Sequence, residues 1–82
     1  MKIDFTGHVL DALEDSPPAV RRAFRKQLAF LAENLHHPSL HAKKYDKARD
    51  PWQARVTKDW RFYFKIVGDT YRLEELKKHP KK

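Results

Sequence analysis

The sequence predicts an α+β fold, in which an N-terminal strand and two helices pack on a small antiparallel sheet in the order β-α-α-β-β-β. Two observations lead to this prediction. Apolar residues recur at helical spacing in the first half of the chain and alternate with polar residues in the second half. The 82 residues contain no internal repeat and no low-complexity linker, so we expect a single domain over residues 1–82.

The first half of the chain is expected to hold a strand at residues 2–6 and two helices, at residues 8–15 and 17–35, the second with apolar residues at helical spacing over 19–35. Ser16 is expected to cap the second helix, because Pro17 follows it and proline suits the first helical position. Pro38 is expected to end the helical pattern, since the residue before a proline avoids the α region.

The second half is expected to hold strands at residues 52–57, 60–67 and 70–76, with a further short strand near residues 41–45. The apolar residues of the last two strands face each other only if Gly68 and Asp69 alone form the loop, and glycine in first place suits a type II′ turn. The preceding hairpin keeps Val56 and the tryptophans on one face only with a three-residue loop or a bulge.

Either of these two solutions places Arg55, Arg61 and Tyr63 together on the polar face of the sheet. Like charges on neighbouring strands are mildly destabilising, and an anion bound between the two arginines would reverse the sign of that interaction. The alternative is that Arg55 pairs with Glu74 or Asp59.

The end of the last strand is expected to return residues 77–79 towards Trp60 and Arg61. His79 is the residue there whose ordinary pKa lies near neutrality, so it is a candidate proton donor or acceptor. The histidines around Pro38 have no cysteine and no nearby carboxylate as partners, so no metal site is predicted.

The composition favours a polyanionic partner. Eighteen Lys and Arg against eleven Asp and Glu give a net charge of +7. Nucleic acid is the first candidate, ahead of an anionic membrane or an acidic protein, and a solvated basic surface is the alternative. The absence of cysteine, of a signal peptide and of an apolar run of about 20 residues predicts a soluble, cytoplasmic protein. No Gly-rich phosphate loop or hydrolase motif occurs in the chain.

A family resemblance covers nearly the whole chain. The segments HPSLHAKKYD and WQARVTKDWRFYFKIVGDTYRL, the near-terminal histidine and the order of elements resemble the RelE/ParE superfamily of bacterial toxins. Similarity to its RelE-like mRNA interferase branch implies a toxin of a toxin-antitoxin system that cleaves mRNA on the ribosome and so inhibits translation. The implied reaction uses no metal or other cofactor: the RNA 2′-hydroxyl attacks the adjacent phosphate while basic side chains stabilise the developing charge. The implied partners are a cognate antitoxin, the ribosome and mRNA.

The resemblance also implies roles for particular residues. By position, Arg55 and Arg61 match the phosphate-binding arginines, and His79 matches the terminal acid or base. His41 stands where some relatives have a glutamate base, so it is the substitute candidate for the base, and Pro80 stands where an aromatic residue often follows. The residues expected to contact RNA are Lys43, Lys44, Lys58 and Tyr63.

Two other functions are open for the same fold. The ParE branch inhibits DNA gyrase and does not cut RNA, and a degenerate toxin would keep only its antitoxin-binding surface. The trio of Arg55, Arg61 and His79 favours cleavage, because an inhibitor of gyrase needs no such pocket.

Overall fold

The computed structural model describes residues 2–44 and 51–78 and confirms the α+β class. Its elements are β1 (Lys2–Phe5), α1 (Gly7–Glu14), α2 (Pro18–Glu33), a 3₁₀ turn (Pro38–Leu40), β2 (Lys43–Lys44), β3 (Trp52–Arg55), β4 (Trp60–Val67) and β5 (Thr70–Lys78). The strands form one sheet in the order β1-β5-β4-β3-β2. The short strand expected near residues 41–45 is β2, as far as the described residues extend.

The N-terminal strand joins this sheet instead of lying apart from it. β1 pairs with β5 in parallel, while every other neighbouring pair is antiparallel, so the sheet is mixed. A parallel pair requires a long crossover connection. Here the connection includes both helices, and the side chain of Thr6 starts the first of them by accepting a hydrogen bond from Val9 N at 3.4 Å.

The boundaries of α2 differ from the predicted ones. Its N-cap is Pro17, so the prediction that Ser16 caps this helix is wrong. The hydroxyl of Ser16 donates instead to the carbonyl of Leu13 at 2.7 Å, and a second proline occupies the first helical position. The helix ends at Glu33, before Pro38, because Asn34 adopts an extended backbone.

The core lies between the helices and one face of the sheet. Its buried members are Val9, Val20, Phe24, Leu31, Leu40, Ala54, Val56, Phe62, Phe64, Tyr71, Leu73 and Leu76. Phe64 is at its centre: it is fully buried, and its ring lies 5.6 Å from those of Phe62 and Tyr71 and 6.3 Å from that of Trp52. Large aromatic side chains therefore supply much of the apolar area that so small a chain buries.

The loop between β4 and β5 is the predicted two-residue turn. Val67 pairs with Thr70 across Gly68 and Asp69. Gly68 has a φ of 61° and Asp69 has a negative φ, which are the signs of a type II′ turn.

Replacing Gly68 by alanine is expected to destabilise the protein by about 1 kcal/mol, because its positive φ disfavours a Cβ atom even though the surrounding space is open. Gly7→Ala is the matched control. Gly7 also has open space around it but lies in α1, where alanine is favoured over glycine by roughly 0.5–1 kcal/mol. Urea unfolding of both variants measures the difference, and an equal effect of the two substitutions would contradict the turn assignment.

A β-bulge interrupts β5. Tyr63 pairs with Glu75 whereas Phe64 pairs with Leu73, so Glu74 is an extra residue without a partner on β4. The bulge allows Leu73 and Leu76, which are three residues apart, both to be buried in the core. It also determines which side chains of β5 lie on the opposite, polar face.

Candidate functional site

Arg55 and Arg61 lie on the same face of the sheet, as predicted, and the structure places them directly opposite each other across β3 and β4. Of the two predicted solutions, a three-residue loop or a bulge, the structure has the loop, since Val56 N donates to Trp60 O at 3.0 Å across residues 57–59. That bond makes Val56 and Trp60 a pair of the hydrogen-bonded type, so the adjacent arginine pair is of the non-hydrogen-bonded type. In such a pair the Cα atoms approach to about 4.5 Å, which brings the side chains close together.

Arg61 is anchored in the loop that joins the two strands. Its Nη1 donates to the backbone carbonyls of Thr57 at 2.7 Å, Trp60 at 3.0 Å and Lys58 at 3.2 Å. These bonds hold one terminal nitrogen of the guanidinium, so the charged group occupies a defined position instead of moving freely on the surface.

The two guanidinium groups place like charges close together, and the charge of Asp59 offsets part of that of Arg61. The pKa of Arg61 is lowered, first because the group is partly buried and second because the charge of Arg55 lies nearby. Within the described ranges, the buried Nε of Arg55 has no hydrogen-bond partner. Glu74, one alternative partner for Arg55, pairs with Lys65 at 3.8 Å. An anion bound between the arginines would offset the repulsion between their charges.

An open cleft of about 480 Å³ lies beside the arginine pair. Its volume falls within the usual range of small-ligand sites, about 300–1,000 Å³. It is lined by His41, Ala42, Lys43, Gln53, Arg55 and Arg61. The structure thus brings four of the residues singled out in the sequence into one cleft: two arginines, a lysine and a histidine.

The remaining predicted RNA contacts do not line this cleft. Lys44 follows Lys43 on β2, so strand alternation directs it to the other face of the sheet. Lys58 is exposed in the loop that holds Arg61. Tyr63 is on the arginine face but is buried, and the Nζ of Lys77 lies 4.9 Å from the centre of its ring.

The predicted return of the last strand is confirmed as far as the structure describes it. Lys77 pairs with Arg61, and Lys78 pairs with Trp60. His79 and Pro80 lie outside the described residues, so the role of His79 stays a prediction.

His41 occupies the loop side of the cleft. It follows the 3₁₀ turn and has a left-handed backbone, with φ 47° and ψ 42°. Few residues other than glycine adopt this conformation, and histidine is among those enriched in it. The turn before it is capped by His37, whose Nδ1 accepts a hydrogen bond from Ser39 N at 3.1 Å.

Two glutamines near the cleft were missed in the sequence. Gln53 is 8% exposed and lines the cleft, and its even spacing from Arg55 along β3 was a signal that the two share a face. Gln27 is 4% exposed and lies on the buried side of α2 among apolar residues. A polar residue on an otherwise apolar helix face was the signal for Gln27.

Other kinds of site find no support in the described part of the chain. Residues 2–44 and 51–78 contain no group of three or more His, Cys, Asp or Glu side chains that could hold a metal ion. In the same ranges, neither helix has the length and hydropathy that a bilayer span requires.

No family model and no curated protein matches this chain. Solved structures do match its fold. The YoeB/ParE toxin from Agrobacterium tumefaciens has a TM-score of 0.82 and 14% identity, over 98% of this chain and 100% of that one. The archaeal RelE–RelB complex from Pyrococcus horikoshii has a TM-score of 0.81 and 19% identity, over 99% of this chain and 97% of that one. The E. coli RelBE toxin-antitoxin complex has a TM-score of 0.75 and 13% identity, over 98% of each chain.

These comparisons assign the class of fold. The chain has the fold of the RelE/ParE superfamily of toxins, along essentially its whole length and that of each structure named above. The resemblance stated from the sequence is therefore confirmed at the level of fold.

Proposed function

We propose that this protein is the toxin of a toxin-antitoxin module and that it cleaves mRNA on the ribosome by metal-independent attack of the RNA 2′-hydroxyl. The observation that supports this proposal most directly is the Arg55–Arg61 pair, which lies beside a cleft and places two positive charges directly opposite each other on neighbouring strands. The fold shared with RelE and YoeB toxins supports it independently.

Arg55 and Arg61 are proposed to bind the non-bridging oxygens of the scissile phosphate. Negative charge builds on these oxygens as the 2′-oxygen attacks, so fixed cations stabilise the transition state more than the ground state. Arginine suits this role because its planar fork binds two oxygens and keeps its charge at neutral pH. The backbone bonds to Arg61 Nη1 hold one of the two cations in place before substrate arrives.

His41 is proposed as the general base and His79 as the general acid. The base removes the 2′-hydroxyl proton as that oxygen bonds to phosphorus and a 2′,3′-cyclic phosphate forms. The bond to the 5′-oxygen breaks at the same time, and the acid supplies the proton that this leaving group needs. Histidine can serve in either role, because its ordinary pKa lies near neutrality.

The proposed partners are mRNA, the ribosome and an antitoxin, in the cytoplasm. Lys43 lines the cleft and Lys58 lies in the loop that holds Arg61, so both would contact the RNA backbone, and Lys44 is proposed to contact RNA beyond the cleft. The antitoxin is proposed because two of the similar structures are a RelE–RelB complex and a RelBE toxin-antitoxin complex.

The test is to add the purified protein to translating ribosomes and to map the ends of the mRNA. We expect new 3′ ends that carry 2′,3′-cyclic phosphate, the product of 2′-hydroxyl attack. DNA gyrase supercoiling is assayed with the same preparation. Intact mRNA together with inhibited gyrase would replace this proposal with the ParE-like one, and no effect in either assay would favour a degenerate toxin.

A further inference from the structure

The amide of Gln27 connects three separate elements beside the cleft. Its Nε2 donates to the backbone carbonyls of Ser39 and Arg55, both at 2.8 Å, and its Oε1 accepts from the hydroxyl of Ser39 at 2.9 Å. These bonds use three of the four hydrogen-bonding positions of the amide. One buried side chain of α2 therefore contacts both the 3₁₀ turn and β3.

The carbonyl of Arg55 needs such a partner because of its place in the sheet. In a non-hydrogen-bonded pair the backbone groups point away from the partner strand, so this carbonyl points away from β4. β2 lies on that side, but its two residues pair only with Trp52 and Gln53. Gln27 thus takes the position that a neighbouring strand would otherwise fill.

The bonds to Ser39 connect Gln27 to the 3₁₀ turn that precedes His41, a residue that lines the cleft. Ser39 lies inside the 3₁₀ turn, and His41 follows it two residues later. Leu40, between them, is fully buried, so the turn cannot shift without moving a core side chain. Gln27 therefore links the segment that carries His41 to the strand that carries Arg55.

We propose that Gln27 is a positioning residue, which sets the separation between His41 and Arg55 across the cleft. The inference rests on the proposed function, since it assigns a catalytic purpose to that separation. An apolar side chain would be easier to bury on this face of α2, where Phe24 and Leu31 are its buried neighbours. A buried amide with good partners instead defines one arrangement of the groups that it joins.

The test compares Gln27→Met with Val20→Ala in the full chain on translating ribosomes. Methionine keeps the length of glutamine but cannot bond either carbonyl, whereas Val20→Ala removes core volume from the same side of α2 without touching the cleft. We expect Gln27→Met to lower the cleavage rate at saturating ribosomes by roughly 10- to 100-fold. The half-saturating ribosome concentration should stay unchanged, and Val20→Ala should cut at the wild-type rate despite a lower melting temperature.

Ser39→Ala provides the graded comparison, because it removes the hydroxyl bond and leaves both Nε2 bonds in place. We expect a smaller fall in rate than for Gln27→Met. A Gln27→Met rate no lower than that of Val20→Ala would overturn the proposal. If Gln27→Met does not fold, the Ser39→Ala variant tests the proposal instead. A Ser39→Ala cleavage rate equal to that of Val20→Ala would then overturn the proposal.

Failure of the proposed function is distinguishable from failure of this inference. If the wild type cuts no RNA, titration with inorganic phosphate, followed by the side-chain NMR signals of Arg55 and Arg61, decides the positioning role. Weaker phosphate binding by Gln27→Met than by Val20→Ala supports it. Equal binding, or no binding by any of these proteins, overturns it.

Discussion

Arg55→Leu is expected to slow RNA cleavage strongly while leaving the protein at least as stable as the wild type. Removing a preorganised cation from a phosphoryl-transfer site costs roughly 10²–10³ in rate. The same substitution removes a like-charge contact with Arg61 and a buried Nε that has no partner among the described residues. Relief of those two deficits is expected to raise the free energy of unfolding by about 1 kcal/mol.

Arg61→Ala is expected to lose activity to a similar extent and to lose stability as well. Its Nη1 donates to the carbonyls of Thr57, Lys58 and Trp60 at the loop between β3 and β4, and each of these carbonyls would lose one donor. The Arg55→Leu and Arg61→Ala variants should therefore differ in stability to urea although their cleavage rates fall to a similar extent. A purely structural pair would show the opposite pattern, with changes in stability and none in cleavage.

The control for both substitutions is Arg22→Ala, which removes one positive charge from the exposed side of α2. We expect it to change cleavage only through weaker general attraction to RNA, an effect that added salt reduces. If Arg55→Leu cuts as fast as Arg22→Ala at every salt concentration, the arginine pair is not the cleavage site.

Phe64→Ala is expected to lower the free energy of unfolding by about 3–5 kcal/mol. Phe64 is fully buried and contacts the rings of Trp52, Phe62 and Tyr71, so its loss leaves a cavity in the centre of the sheet. Total stability at 0.05–0.15 kcal/mol per residue is only about 4–12 kcal/mol for a chain of this length. The variant should therefore be close to unfolding at room temperature.

Tryptophan fluorescence during urea unfolding measures this loss, since Trp52 stacks on Phe64. Val67→Ala is the control, because Val67 is 56% exposed near the end of β4 and its truncation should cost no more than about 0.5 kcal/mol. A Phe64→Ala loss below about 1 kcal/mol would mean that the sheet closes around the cavity, contrary to the packing described above.

The features that could be predicted from the sequence are those that depend on neighbouring residues. Strand alternation and the Gly68-Asp69 turn predicted the two-residue loop between β4 and β5. Alternation also placed Arg55 and Arg61 on one face, although it left a three-residue loop and a bulge both open between β3 and β4. The side-by-side arginines followed from local geometry, because the loop between their strands has only three residues.

The features that could not be predicted depend on contacts between distant parts of the chain. Gln27 bonds residues 12 and 28 positions away, and no local pattern indicates which carbonyls it will meet. The parallel pairing of β1 is a similar case, since alternation shows that a strand exists but not which edge it joins. The cap of α2 was predicted wrongly because Ser16 bonds the end of α1 instead.

The bulge at Glu74 divides β5 into two half-strands of opposite phase. Before it the odd-numbered residues Tyr71 and Leu73 face the core, and after it the even-numbered Leu76 does. Losing this one residue would shift the phase of everything that follows, turning Lys77 inward and a leucine towards the arginines. This one extra residue thus lets a single strand bury Tyr71, Leu73 and Leu76 in the core and still present Lys77 on the face that carries the arginines.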